Sequence, residues 1–242
     1  EYMDAFGYAN ITTKLEMDTQ NSVIQTGSIS KVITTYALLE LLTKHQIDID
    51  SEIGPYLPVY LKEEMKLSTL TFRNLLTHTS GIPSIKANTA TKEDPLYGFD
   101  LEFGTQAESF FKTYKVEQVI EQDSYSILSN VGFILAGVLI ESISGERYAY
   151  YVSNQVLEPL QMDTSSQIIM NQTIENRHLI QNYSVFGGQR EILSPYKSKY
   201  LPSDDFLTTA EDMGNFLRVL TSGKLSETMK NALFQKQIAN NT

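Results

Sequence analysis

Cysteine is absent from this chain of 242 residues, which excludes disulfide bonds and thiolate metal sites. The absence suits an exported protein and a cytosolic one equally well. Basic residues are outnumbered, since 19 Lys and Arg stand against 29 Asp and Glu, for a formal net charge of -10. Nucleic acids and anionic membrane surfaces repel such a chain, so we predict neither as a partner. No apolar run reaches the roughly 18 residues of a membrane-spanning helix.

Histidine is almost as scarce, and the glycines form no nucleotide-binding pattern. The three histidines, His45, His78 and His178, are far apart and belong to no H-E-x-x-H motif, so we predict no metal site. No G-x-G-x-x-G or P-loop pattern occurs, so we predict no nucleotide and no other cofactor. The length, with 41% hydrophobic residues, predicts one globular domain over 1–242, or such a domain with an insertion.

What the chain does contain is a long apolar segment, residues 25–45, which opens with Gly27 and two serines. Its apolar side chains cover more than one stripe of a helix, which predicts a helix buried inside the domain. Ser28 and Lys31 are spaced i and i+3 at its start, so a helix brings them onto one face. A buried Lys that loses its proton can deprotonate a Ser hydroxyl. The segment therefore suits a nucleophile with its base, but also a helix-capping Ser beside a solvated Lys.

The S-x-x-K spacing occurs three times, where chance gives about one occurrence in a chain of this size. Ser109 and Lys112 lie in a polar helical stretch, and Ser194 and Lys197 lie in a loop. Only Ser28 follows a strand-like segment and opens a long buried helix. The context therefore favours the first occurrence as the one with chemistry.

The flanking regions predict strands, an insertion and a structural histidine. Residues 1–26 predict two strands, and the polar stretch 84–122 predicts an insertion that borders the site, with a helix over 106–115. His78 lies beside Thr79 and Ser80, which suggests catalysis. We interpret it instead as a residue whose side chain hydrogen-bonds the loop that leaves its helix.

Capping residues mark three further helices. Thr71 predicts the N-cap of a short helix, and Ser129 or Asn130 predicts that of a buried helix within 126–142. Thr208 predicts the N-cap of a later helix through a capping box. These local signals give the positions of helices but no chemistry.

Four segments, in this order, resemble one family, the serine β-lactamases and penicillin-binding proteins. T-G-S-I-S-K at 26–31 resembles the nucleophile motif, and L-T-F-R-N-L-L-T-H-T-S-G-I-P at 70–83 resembles a helix-and-turn signature. Ser129-Asn130 resembles the second active-site element, and residues 208–217 resemble the helix after the site. The likeness is to the branch of class C β-lactamases, EstB-type esterases and D-Ala-D-Ala carboxypeptidases.

The resemblance implies an α/β fold, in which an antiparallel sheet built from both chain ends lies beside a mostly helical region. It implies that Ser28 attacks an acyl carbon while Lys31 takes its proton, and that the Ser28 N–H forms half of an oxyanion hole. Asn130 would orient Lys31 and the amide of the substrate. The implied substrates are peptidoglycan-type peptides, β-lactams or small esters. The implied location is extracellular or the cell envelope, and the complete protein could carry a membrane anchor.

Three departures from the family pattern bear on activity. Leu128 stands where the second motif has its proton-shuttling Tyr, and losing such a group typically costs about 10²- to 10⁴-fold in rate. Tyr125 could substitute only if its loop is rearranged. The third motif, Lys-Thr-Gly or His-x-Gly, does not follow residue 217. Asp204 and Asp205 stand where relatives tend to have small residues, which changes the rim of the site.

By this comparison we expect the chain to lack the first element and the last strands of the family, and so to be weakly active by itself. We retain two hypotheses. The first is a serine hydrolase that works through a Ser28 acyl-enzyme, and Ser28, Lys31 and Asn130 favour it. The second is a catalytically impaired homologue that acts as a binding or regulatory module of the cell envelope, and Leu128 favours it.

Overall fold

In the computed structural model of the chain, the described residues are 2–62, 65–84, 107–108, 110–112, 116, 121–163, 165, 177–193, 201–204 and 206–236. Most of the predicted insertion 84–122 lies outside them. The described residues 107–108 and 110–112 are helical, within the helix predicted over 106–115. Ser109, Ser194, Lys197 and Asp205 also lie outside the described residues.

The strand that leads to the site is the centre of a small mixed sheet. The strands are β1 (Tyr8–Asn10), β2 (Leu15–Glu16), β3 (Ser22–Gln25), β4 (His178–Leu179), β5 (Asn182–Phe186), β6 (Gln189–Leu193) and β7 (Leu207–Thr208). One sheet has the order β4-β3-β7, and β1-β2 and β5-β6 form two-stranded sheets. β3 pairs antiparallel with β7, with Ile24 opposite Thr208. It pairs parallel with β4, with Ser22 opposite His178.

The parallel pairing of β3 with β4 is the exception among the described strands, because the other three pairings are antiparallel, as the resemblance implied. Helices α1 to α5 lie between β3 and β4 in the sequence, so no hairpin turn forces the two strands to run in opposite directions, and a long crossover permits parallel strands. The expectation of two strands in residues 1–26 was wrong, because three short strands, β1, β2 and β3, form there. The side chain of Asn10 accepts hydrogen bonds from the N–H groups of Thr12 (2.9 Å) and Thr13 (3.0 Å), which closes the turn between β1 and β2.

Two long helices form the core. The α-helices among the described residues are α1 (Ser30–Lys44), α2 (Met65–Ser68), α3 (Phe72–Leu76), α4 (Asn130–Ser144), α5 (Tyr148–Val152), α6 (Ala210–Thr221) and α7 (Glu227–Phe234). α1 packs against α4, and both are buried on most of their faces. Each Leu or Ile buried there contributes about 1.5–3 kcal/mol. None of the described helices combines the length and the apolar character that crossing a bilayer requires.

The helix caps confirm two predictions and correct a third. The hydroxyl of Thr71 caps α3 in a reciprocal capping box with Asn74, as its position predicted. Ser129 caps α4, because its side chain accepts a hydrogen bond from the N–H of Gly132 at 3.0 Å. The prediction for α6 was wrong by one residue. Its N-cap is Thr209, since residue 208 is taken up by the pairing of β7 with β3.

We expect Thr209→Ala to be about 1 kcal/mol less stable than Thr209→Ser in urea-induced unfolding. Thr209 is fully buried, and its hydroxyl accepts a hydrogen bond from the N–H of Asp212 at 3.3 Å. Both variants lose the buried methyl group, so the difference between them reports the capping hydroxyl. Equal free energies of unfolding for the two variants would show that this cap contributes nothing.

Candidate active site

Ser28 lies in a tight turn between β3 and α1 that is anchored at one distant residue. The turn is a 3₁₀ turn over Gly27–Ile29, and Gly27 has a φ of +54°, a value that glycine adopts without strain. Phe206, which directly precedes β7, holds this turn. Its carbonyl accepts hydrogen bonds from the N–H and the hydroxyl of Thr26, both at 3.0 Å. Its N–H donates to the hydroxyl of Ser30 at 2.9 Å.

This geometry corrects the expectation that Ser28 lies on the first turn of the core helix. α1 begins at Ser30, and the residue at its N-cap is Ile29, which has no capping side chain. Ser28 itself is exposed to solvent, as a nucleophile must be to meet a substrate. The alternative in which Ser28 caps the helix therefore does not hold.

Lys31 lies against Ser28 and is removed from water. Its Nζ donates to the Oγ of Ser28 at 3.0 Å and to the backbone carbonyl of Ser203 at 2.9 Å. Only 6% of Lys31 is exposed, so the alternative of a solvated charge is also wrong. The ring of Phe133 on α4 lies below the amine, with 5.6 Å from Nζ to the ring centroid.

Burial governs the protonation of Lys31. It lowers the pKa of the Lys31 amine below its ordinary value, because a charge loses hydration inside the protein. The carboxylate of Asp204 acts in the opposite direction and raises that pKa by charge attraction. A neutral amine has two N–H donors and one lone pair. It can keep its bond to Ser203 and still accept the hydroxyl proton of Ser28.

Asn130 lies on the side of α4 that faces Lys31. It is spaced i and i+3 from Phe133, so both residues share one face of the helix. Its Oδ1 is buried and meets no hydrogen-bond partner among the described residues, whereas Lys31 donates to Ser28 and Ser203. A buried acceptor without a donor costs about 1–3 kcal/mol. The role predicted for Asn130 in orienting Lys31 stays a prediction.

Leu128 and Tyr125 precede α4 on a loop at the surface. Leu128 is 61% exposed and Tyr125 is 68% exposed. The segment between them is tied to the end of α3, because the N–H of Ile127 donates to the carbonyl of His78 at 2.8 Å. Among the described residues, the Lys31 amine donates to Ser28 and Ser203 and makes no hydrogen bond to Tyr125. A role for Tyr125 as a substitute acid or base also stays a prediction.

His78 is closer to the site than the sequence suggested. The prediction that its side chain hydrogen-bonds the loop that leaves α3 was wrong about the partner, because Nδ1 accepts from the N–H of Ser129 at 3.1 Å. That partner begins α4 rather than ending α3. The imidazole ring packs on Phe133, with 5.3 Å between ring centroids. Burial lowers the pKa of His78, and the positive charge of Lys31 lowers it further.

The contributions of Ser203 and Phe206 could not be predicted from the sequence. Both act through backbone atoms, and a backbone carbonyl carries no residue-specific signal. The only indication was that residues 202–205 depart from the family pattern. Of the lysines in the other two S-x-x-K occurrences, Lys112 lies among the residues that the structure describes. Its side chain is 64% exposed and pairs with Glu108 at 2.6 Å, as expected for a surface ion pair.

The described residues offer no alternative centre for metal chemistry, since no group of three His, Asp or Glu among them could hold a metal ion. A cavity of about 690 Å³ lies at the far end of α1, lined among others by Leu42, Arg73 and Asn231. α1 has 15 residues and spans roughly 22 Å, so this cavity is distant from Ser28. This cavity is therefore not part of the candidate site.

Comparison with known proteins relates this chain to one family. The Beta-lactamase family model matches residues 1–242. The putative penicillin-binding protein PbpX of Bacillus subtilis is 28% identical over 228 residues, which are 91% of this chain and 51% of PbpX. Protein flp of Staphylococcus aureus is 22% identical over 88% of this chain and 41% of its own length. This chain therefore spans about half the length of these curated relatives.

A solved structure shows the same fold. The octameric penicillin-binding protein homologue from Pyrococcus abyssi superposes with a TM-score of 0.71 at 22% identity, over 91% of this chain and 49% of that one. A likeness at this identity concerns the fold. The family match over the whole chain goes further, and on that match the chain belongs to the beta-lactamase family.

Proposed function

We propose that this chain is a serine hydrolase of the β-lactamase and penicillin-binding type, which forms an acyl-enzyme at Ser28. One observation carries the proposal: an exposed Ser hydroxyl lies 3.0 Å from the amine of a buried Lys whose pKa is lowered. The substrates we propose are peptidoglycan-type peptides, β-lactams or small esters, met in the cell envelope or outside the cell. PbpX is described as a putative penicillin-binding protein, which supports a β-lactam as the first probe.

The reaction begins with proton transfer from Ser28 to neutral Lys31. The Oγ attacks the acyl carbon, and the carbonyl electron pair moves to the oxygen to give a tetrahedral intermediate. When the intermediate collapses, the bond to the amine or alkoxide leaving group breaks, and the ammonium of Lys31 returns a proton to it. Because Leu128 has no proton to supply, Lys31 must serve as both base and acid. Water then hydrolyses the ester at Ser28.

We expect a penicillin and, in a separate incubation, a fluorophosphonate each to form a covalent adduct of one molecule per chain. The adduct should be absent in Ser28→Ala and retained in Ser153→Ala, which removes an exposed hydroxyl at the end of α5. Intact-mass spectrometry measures both. Adduct formation should be slow, because a positioned acid is missing at Leu128.

A second function is favoured by one residue. Leu128 is 61% exposed at the position of the family's proton shuttle, which suits a catalytically impaired homologue that binds envelope components. Both functions predict a folded chain that accommodates a penicillin. They differ in whether a covalent bond forms, so a folded native chain without any adduct would support the binding module and contradict the hydrolase.

A further inference from the structure

His78 holds the backbone on both sides of Leu128. Its carbonyl accepts from the N–H of Ile127 at 2.8 Å, and its Nδ1 accepts from the N–H of Ser129 at 3.1 Å. Ser129 in turn caps α4 and is fully buried, so its position fixes the first turn of that helix. His78 thus holds the N–H groups of Ile127 and Ser129, and the hydroxyl of Ser84 holds the next one, that of Asn130, at 3.2 Å.

The backbone of His78 is suited to this arrangement. Its φ is +62°, so it occupies the left-handed region, which His, Asn and Asp enter more readily than most residues. The carbonyl oxygen and the ring Nδ1 of His78 can then accept hydrogen bonds from two N–H groups of the segment 127–129. The ring also packs on Phe133, and the amine of Lys31 lies over the same Phe133 ring.

Only the neutral imidazole can make this contact. Nδ1 accepts a hydrogen bond from the backbone N–H of Ser129 and therefore carries no proton itself, which places the ring proton on Nε2. Lys31 on α1 faces the ring and disfavours its protonation. The segment 121–129 before α4 carries, among its ionisable side chains, Asp123 and Tyr125. The carboxylate of Asp123 accepts a hydrogen bond from Asn74 at 2.7 Å. The first turns of α4 carry no ionisable side chain.

We propose that His78 is a positioning residue of the site: its neutral imidazole, through Nδ1, holds Ser129 and so keeps Asn130 on the side of α4 that faces Lys31. The part of this proposal that concerns acylation rests on the function proposed for Ser28. A protonated ring would present an N–H to the N–H of Ser129, and the contact would be lost.

Two variants separate the acceptor from the rest of the residue. Asn tolerates the left-handed backbone and its Oδ1 occupies the place of Nδ1, whereas Gly tolerates the backbone and has no acceptor. Both lose the ring on Phe133 equally. His78→Asn should therefore retain the hold on Ser129, and His78→Gly should lose it. Thermal midpoints of the two variants verify that both are folded.

The first arm measures amide hydrogen exchange at Ser129 by NMR. We expect exchange at least about 10-fold slower in the native chain and in His78→Asn than in His78→Gly, because a hydrogen-bonded amide exchanges only when its contact opens. In the native chain the protection should be lost on acidification, while in His78→Asn it should persist. Equal exchange in the two variants would overturn the proposal.

The second arm measures the rate at which a fluorophosphonate phosphonylates Ser28, with fluoride as the leaving group. His78→Gly should be about 10- to 10²-fold slower than the native chain, and His78→Asn should recover most of that loss, because small displacements of site residues are costly. Equally slow variants, or a His78→Gly variant at the native rate, would overturn the positioning role. Absence of any native adduct would overturn the proposed function instead, and the exchange arm would still decide whether His78 holds Ser129.

Discussion

Replacing Lys31 by Met is expected to slow acylation of Ser28 by about 10²- to 10⁴-fold, the usual contribution of a positioned general base. Met fills a similar volume and has no lone pair of comparable basicity, so the Ser28 hydroxyl must react without deprotonation. The acylation rate is measured by intact mass over time with a penicillin. Lys112→Met is the matched control, because it alters an S-x-x-K lysine that is exposed at the surface.

Stability should not explain the loss in Lys31→Met. The variant removes the hydrogen bond from Lys31 to the Ser203 carbonyl, which lowers stability. It also removes the Lys31 amine, which is poorly hydrated because the residue is only 6% exposed, and this raises stability. These effects oppose each other, so the thermal midpoint should shift by only a few degrees. A Lys31→Met chain that is acylated at the native rate would contradict the role of Lys31 as the base.

The pH dependence of the native chain provides a second measure of the same role. Lys31 accepts a proton only when neutral, so the acylation rate should rise with pH through the pKa of Lys31. Because burial lowers that pKa, the rise should lie below the ordinary Lys value of about 10.4. Lys31→Met should lack the rise at any pH. A native profile without this rise would mean that the Lys31 amine does not titrate in the reaction.

Leu128→Tyr is expected to raise acylation by a penicillin about 10²-fold or more, because it restores a phenol where the family has its proton shuttle. The side chain of Leu128 is 61% exposed, so a larger ring meets no packed core. The neighbouring backbone is already held by His78 at Ile127 and Ser129. The new side chain would therefore extend from a fixed position.

Leu128→Phe separates the hydroxyl from the ring. It adds the same aromatic bulk without an ionisable group, so it should give no comparable gain. Acylation and turnover are followed with a chromogenic β-lactam and by intact mass. Equal rates for the Tyr and Phe variants would show that position 128 does not act as the shuttle in this chain, and would favour the binding-module function.

Features that depend on neighbours within a turn of helix were predictable. Thr71 and Ser129 mark helix starts through hydrogen bonds that involve only residues within four positions. The error at Thr208 has a tertiary cause. That residue pairs with β3, so the helix begins one residue later than its local pattern favours.

The sequence by itself determined the family, the buried character of α1 and the spacing that places Ser28 near Lys31, because these follow from residue order and helical periodicity. Only the tertiary structure decided that Lys31 is buried and that its amine reaches the Ser203 carbonyl, 172 residues away. It also decided that His78 accepts from Ser129, 51 residues away. Protonation of Lys31 and His78 depends on desolvation and on charges brought together by folding, and no local pattern encodes either quantity.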